Sequence, residues 1–354
     1  MTPMTEQPRN PVTIYDIAKA VGVAPSTVSR TFARPGRVNA ETAERIRQVA
    51  QELGYRTATA GQAQASSHTH LLALMVADLA NPYHATLTRG AQVAATAAGY
   101  ELLLADSRES GPRERAALER LVPVVEGFVI GTSRLPDATL RTIAKQRPTV
   151  VLNRELRGVP SVITDNAGGM RAALDLLAGL GHDSVTYVAG PQASWVDGVR
   201  FRSLRDHAAA IGLTTHKIGP FVPTFEGGMM AAEQLRDRLP TAVVAYNDLV
   251  AIGLMHAFIR AGIAIPDQVS VVGFDDILIS RVFLPTLTTV SAPVRQMGMT
   301  AVNNVLAIIN GARPTGGEAL LLPTQLKVRG STGQRRRKRV SPALGTTMVS
   351  GSDS

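Results

Sequence analysis

Thr13-Ile14-Tyr15-Asp16-Ile17-Ala18-Lys19-Ala20-Val21-Gly22-Val23-Ala24-Pro25-Ser26-Thr27-Val28-Ser29-Arg30-Thr31-Phe32 is the stretch that decides how the chain begins. Ile14, Ile17, Ala18 and Val21 recur at helical spacing and make one apolar face. Thr13 is placed to cap that helix, with Asp16 three residues on as in a capping box. Gly22 supplies a tight turn, and Val23 plugs the angle between helices. Pro25 stands in the first turn of a second helix, where a missing N–H costs nothing. Ser26, Thr27, Ser29 and Arg30 give that helix a short polar face beside Val28 and Phe32. Helix, glycine turn, helix is the helix-turn-helix arrangement, whose second helix enters a DNA major groove. A third helix is expected from Asn39 as N-cap to Leu53, with Ile46, Val49, Ala50 and Leu53 facing inward and Gly54 as the stop.

Outward from this segment, the 354 residues suit two or three domains. The absence of cysteine excludes disulfide frameworks, thiolate zinc sites and cysteine nucleophiles, and fits a reducing, cytoplasmic setting. Met1–Asn10 has no apolar core of a signal peptide, and no run approaches the roughly 18 apolar residues of a membrane span. The net charge of +9 is uneven. Residues 1–67 hold 8 basic against 5 acidic side chains, residues 68–334 hold 24 against 22, and the remainder holds 5 against 1. Basic ends suit a polyanion and a near-neutral middle suits a sensor. The run Arg335-Arg336-Arg337-Lys338-Arg339 also reads as a solvated tail.

From Leu71 onward, short apolar runs alternate with amphipathic stretches. Leu71–Ala77, Glu101–Ala105, Gly127–Ile130, Thr149–Leu152 and Val162–Thr164 read as buried parallel strands, with helical patterns such as Leu87–Gly99 and Arg113–Leu121 between them. Val185–Ala189, Thr215–Ile218, Ala242–Ala245 and Ser270–Val272 form a second series. Two such series predict two α/β lobes joined by chain crossings near 165, 291 and 322, with Leu320–Val328 as one strand returning to the first lobe. Ligands bind beyond the carboxyl ends of such strands, so the cleft between the lobes is the expected site.

The motifs Thr13-Ile14-Tyr15-Asp16-Ile17-Ala18, Gly22-Val23, Ser26-Thr27-Val28-Ser29-Arg30 and Leu53-Gly54-Tyr55 resemble the headpiece of the LacI/GalR family of bacterial repressors. Asp78–Tyr83, Gly190-Pro191, Ala245–Asp248, Val272–Asp276 and Pro285–Val290 extend the resemblance through about residue 330. It implies a helix-turn-helix headpiece (12–56), a hinge (57–68), a two-lobed, periplasmic-binding-protein-like (type I) sensor and dimerisation domain (69–330), and a basic, disordered tail (331–354). On that reading, a homodimer binds a near-palindromic DNA operator and answers a small molecule, without a cofactor and away from membranes. Ser26, Thr27 and Arg30 would meet base edges, since arginine reads guanine bidentately. Thr13, Tyr15, Ser29 and Asn39 would contact phosphates; Tyr15 equally reads as an inter-helix aromatic. The hinge departs from the family. Thr57, Gln62 and Gln64 stand where relatives carry proline, arginine and a leucine wedge, which predicts less DNA kinking at the operator centre.

Each candidate for the effector site has a second reading. Asp275 suits a hydroxyl-rich ligand or a turn. Arg200 matches a ligand-facing arginine in relatives or makes a salt bridge. Tyr83, Trp195 and Phe221 stack on a ligand or fill a lobe core. Asn247 and Asp248 bind ligand or cap a helix. A sugar is the first expectation for the effector, a nucleoside or purine the second, and a partner protein the third; the remote alternative is a solute-binding protein without a DNA role. Phosphate-loop, dinucleotide-binding and nucleophile-elbow motifs are absent, which argues against an enzyme. His68-Thr69-His70 lacks a third metal ligand nearby, and the adjacent carboxylates of Asp275 and Asp276 are expected to point apart.

Overall fold

The computed structural model describes residues 12–33, 36–53, 55, 69–312 and 319–335. The chain divides into two compact units, with the boundary at His68. The first unit holds α1 (Ile14–Val21), α2 (Pro25–Ala33) and α3 (Ala40–Glu52). Its core is Ile17, Ala18, Val21, Val28, Ile46 and Ala50, the residues that helical spacing aligned. Leu53, expected to face inward, is exposed. Thr13 N and Oγ1 both donate to the Asp16 carboxylate at 2.7 Å, and Gly22 takes the left-handed turn at φ 74°. Phe32 and Tyr55 close the bundle with rings 5.9 Å apart.

The second unit consists of two six-stranded α/β sheets. The first lobe uses β1 (Leu71–Val76), α4 (Pro82–Ala97), β2 (Glu101–Asp106), α5 (Gly111–Leu121), β3 (Gly127–Gly131), α6 (Asp137–Gln146), β4 (Thr149–Leu152) and β5 (Ser161–Thr164). The second uses α7 (Asn166–Gly179), β6 (Ser184–Val188), α8 (Trp195–Ala210), β7 (Thr214–Ile218), α9 (Phe225–Leu235), β8 (Ala242–Ala245), α10 (Asp248–Arg260), β9 (Ser270–Phe274), α11 (Ile279–Val282) and β10 (Thr288–Ser291). The chain then returns through α12 (Val294–Ile309) and β11 (Leu320–Leu322) to the first lobe, and ends with β12 (Gln325–Lys327) in the second. Strand order is β11-β5-β4-β3-β1-β2 in one sheet and β12-β10-β9-β8-β6-β7 in the other. All pairs are parallel except β10 with β12. Strands buried on both faces explain the uninterrupted apolar runs.

Three sequence expectations are corrected here. The run 320–328 is two strands in different sheets, because the chain crosses lobes between Leu322 and Gln325. The core also continues past 330: Ser331 is fully buried, its hydroxyl donating to Val271 O, and Gly333 O packs against His182. Residues 331–335 are therefore part of the second lobe, not the start of a tail. Helix α4 begins five residues before the apolar pattern suggested, since Asn81 Oδ1 accepts from Tyr83 N and Pro82 occupies the first turn. The hinge positions Thr57, Gln62 and Gln64 and the tail from Arg336 lie outside the described residues.

The crossings are stitched together. Asp165 N donates to Leu322 O at 2.9 Å, and Thr324 Oγ1 donates to Asp165 O at 2.9 Å. In the first lobe α12 lies against α4 at van der Waals contact. A Cβ on Gly90 would stand 2.0 Å from Arg295 O, and one on Gly298 2.3 Å from Leu87 O. Only glycine allows backbones this close.

Candidate recognition helix and inter-lobe cleft

On α2, Ser26, Ser29 and Arg30 fall at i, i+3 and i+4 and share one exposed face, with Thr27 half-buried at its edge. Val28 and Thr31 are buried on the opposite side. None of the side chains of Tyr15, Ser26, Ser29 and Arg30 is spent on a hydrogen bond among the described residues. Tyr15 is 66% exposed, so it does not serve as an inter-helix aromatic. Thr13 is exposed and tied to Asp16, whose carboxyl is held below its ordinary range by that hydroxyl. Asn39 is exposed but its Oδ1 caps α3, accepting from Glu41 N at 2.9 Å. The first unit thus presents a short polar helix face with hydroxyl and guanidinium donors free to meet another molecule.

In the second unit, loops at the carboxyl ends of strands from both sheets meet around a polar space of about 40 Å³. Asn81, Tyr83, Thr132, Arg134 and Asn153 come from the first lobe, and Arg200, Tyr246, Asn247, Phe274 and Asp275 from the second. Of the residues singled out from sequence, Tyr83, Arg200, Asn247 and Asp275 are brought together here. A larger recess of about 590 Å³ adjoins it and shares Tyr83, Asp275 and Ala292.

Arg200 anchors the second-lobe wall. Its Nε donates to Asn166 Oδ1 at 2.9 Å and its Nη1 to Tyr246 O at 2.6 Å, while its Nη2 lies 3.8 Å from the Asp275 carboxylate. Asp275 sits just past β9 at φ 120°, a conformation unfavourable for a residue with a Cβ. Burial raises its carboxyl to about 7, against the opposing pull of Arg200. Asn247 Oδ1 caps α10 by accepting from Val250 N, and its Nδ2 donates to Pro223 O. Opposite them, Tyr83 Oη accepts from Asn153 Nδ2 at 2.7 Å. Burial raises the Tyr83 hydroxyl, and the Asp275 charge raises it further. It therefore stays a neutral donor.

Asp248, Trp195 and Phe221 do not line the polar space. Asp248 is fully buried behind the wall: its Oδ1 accepts from Thr289 Oγ1 and its Oδ2 from Ile277 N. Those bonds fix the β9–α11 loop, so its role is internal. Trp195 is half-buried at the start of α8, and Phe221 packs against the apolar core. Asp276, as expected, turns away from its neighbour. Burial alone would raise its carboxyl, but hydrogen bonds from Arg329 and Arg281 hold it low.

Sequence reading missed Arg134, Asn153 and Tyr246. Arg134 donates from Nε to Glu109 at 2.7 Å and lies beside Tyr246 of the other lobe. Tyr246 Oη meets Ser194 Oγ at 3.0 Å, and its ring packs on Gly190, where a Cβ would come within 2.5 Å. The available signal was position: each follows the end of a strand, at β3, β4 and β8.

A helix-turn-helix unit and a two-sheet cleft are the parts of a DNA-binding regulator with a ligand sensor. Known proteins agree. The family described as bacterial regulatory proteins, lacI family, matches residues 13–58, and the periplasmic binding protein-like domain matches residues 174–332. The transcriptional regulator GalS of Salmonella typhimurium is 31% identical over 324 residues, covering 89% of this chain and 95% of that protein. DegA of Bacillus subtilis is 29% identical over 331 residues, covering 90% and 98%. The lac repressor dimer bound to operator and the anti-inducer ONPF superposes with a TM-score of 0.71 at 26% identity, covering 92% of this chain and 100% of that one. The chain belongs to the LacI family of transcriptional regulators and is a ligand-responsive regulator, not an enzyme.

Proposed function

We propose that this chain is a dimeric transcriptional repressor that reads a near-palindromic operator with α2 and changes its DNA affinity when a sugar occupies the cleft. The observation that carries the effector reading is the convergence of Arg200, Asn247 and Asp275 on Tyr83 and Asn153 of the facing lobe. Carboxylate, amide and guanidinium groups beside aromatic rings suit a molecule with many hydroxyls and an apolar ring face. Relatives supply support of the same kind: a CelR–cellobiose complex superposes with a TM-score of 0.67, and a LacI-family regulator from Enterococcus faecium holds ribose.

The polar space opens onto the larger recess beside Tyr83 and Asp275, so a ligand held there touches both lobes and bears on the angle between them. A ligand favouring one lobe angle biases the spacing of two headpieces across a dimer, and operator binding changes effector affinity by the same factor.

The test is a thermal-shift screen of the full chain against sugars, sugar phosphates, nucleosides and purines. A ligand at 100 times its dissociation constant adds about 2.7 kcal/mol, which moves the melting point by several degrees. A sugar hit lost in Asp275→Ala supports the reading. A hit confined to nucleosides or purines overturns the sugar assignment and leaves the regulator in place. Selection from random duplexes should yield two symmetric half-sites; a single asymmetric site would count against the dimeric reader.

A further inference from the structure

His84, in the first turn of α4, lines the polar space from the first lobe and is 3% exposed. Neither of its ring nitrogens hydrogen-bonds to any described residue, and Nδ1 is itself buried. The ring meets Tyr83 edge-on with centroids 5.2 Å apart, and its charged neighbours are Arg134 and Asp106. Burial and then the Arg134 charge keep it neutral, so the ring offers one N–H donor and one bare nitrogen acceptor. A buried polar group without a partner weakens a fold. Its place on the wall of a binding cleft points to a partner that arrives from outside.

The cations around the space are already committed. Arg134 donates to Glu109 from Nε and pairs with it through Nη2, both at 2.7 Å, and its Nη1 donates to Thr132 O. Arg200 donates to Asn166 and to Tyr246 O, and its third nitrogen faces Asp275. In the adjoining recess Arg281 pairs with Asp276, and Arg295 is exposed to solvent. Asn81, Tyr83, Thr132 and Asn153 add uncharged donors and acceptors. A phosphate or carboxylate entering the space would shed its water and meet no free cation, at a large desolvation cost. Its oxygens only accept, so it could use the His84 ring in one tautomer alone. A hydroxyl both donates and accepts, and answers the ring in either.

We propose that His84 reads a hydroxyl of the effector from the first-lobe wall, and that the effector is an uncharged polyol and not a sugar phosphate or sugar acid. Resting on the cleft being the effector site, this contact gives the first lobe a polar grip to match Asp275 on the second. One ligand is then held from both sides.

The full chain is tested by thermal shift against D-galactose, D-ribose and cellobiose as uncharged probes, and against galactose 6-phosphate and galactonate as anionic ones. His84→Phe keeps a planar ring and loses both nitrogens. Without sugar it should melt no lower than wild type, since the unpartnered polar atoms are gone. It should nonetheless bind a stabilising sugar about tenfold more weakly. His84→Gln returns an amide and should recover part of that loss. The 15N signals of the His84 ring, assigned from their absence in whichever variant folds, should move when the sugar is added to wild type. A sugar bound equally by wild type and His84→Phe, or one that leaves the ring signals in place, overturns the role of His84 while the effector site stands. Tighter binding of galactose 6-phosphate or galactonate than of the uncharged probes overturns the uncharged class. No stabilisation of wild type by any probe overturns the sugar reading itself, and the unmoved wild-type melting point tells that failure from the other two.

Discussion

The Arg200 guanidinium lies 3.4 Å from the centroid of the Phe274 ring and 3.8 Å from the Asp275 carboxylate, so one side chain neutralises, stacks and hydrogen-bonds at the floor of the cleft. Its removal strands the carboxylate and leaves Asn166 Oδ1 and Tyr246 O without their donor. Arg200→Ala is expected to destabilise the fold by about 3 kcal/mol in urea unfolding. Combined with Asp275→Asn the loss should be less than the sum of the single losses. Strictly additive losses would show that the two groups do not interact.

His84 carries a pH signature of its own. Burial, and then the Arg134 charge, lower its imidazole to about 4. The folded value lies below the unfolded one, so folding holds His84 neutral while the unfolded chain takes up a proton below about pH 6.5. Stability from this group is complete above that pH and is lost as pH falls towards 4. Wild type should therefore lose about 3 kcal/mol more than His84→Gln between pH 7 and pH 4. Parallel stability curves for the two proteins would mean that His84 is not held neutral.

The α4–α12 contact predicts a steric effect. In Gly298→Ala the new methyl meets Leu87 O at 2.3 Å, and backbone cannot yield as a flexible side chain does. The helices must separate, at a cost of about 1–3 kcal/mol in urea unfolding. Gly179→Ala, where a Cβ meets nothing within 4 Å, serves as the control and should cost far less.

Arg30 stands exposed on α2, its guanidinium bonded to none of the described residues, which suits it to a base edge. Arg30→Ala should weaken binding to the selected operator by about 1–3 kcal/mol and relax the preference at one base pair. Fluorescence anisotropy on operator and on random duplex separates the cases. An equal loss on both would make Arg30 a phosphate contact.

Periodicity made the architecture legible. Apolar residues at helical spacing named the headpiece core from Ile17 to Ala50, and uninterrupted runs such as Leu72–Val76 marked strands buried on two faces. The cleft was legible only in part. Asn247 and Asp275 follow strands, Tyr83 lies in the first turn of α4 and Arg200 in the second turn of α8, and all four line the cleft. Asp248 lies beside Asn247 in sequence, yet it starts α10 and points inward, a distinction set by helix phase and not by residue type. Arg134 was hidden because its importance comes from Glu109 and Tyr246, which are remote in sequence. The segment 320–327 misled because two short strands separated by a crossing have the same apolar pattern as one strand.

The stitched crossings also bear on how the molecule is made. β11 completes the first sheet beside β5, and β12 completes the second beside β10, so both edges wait for residues 320–327. During synthesis at about 5–20 residues per second the headpiece helices emerge early. Both lobes remain unfinished until residues 320–327 have left the ribosome. A product terminated before residue 320 keeps α1 to α3 and lacks an edge strand in each sheet. Translation must therefore pass the last strand of each lobe before the regulator can answer a signal.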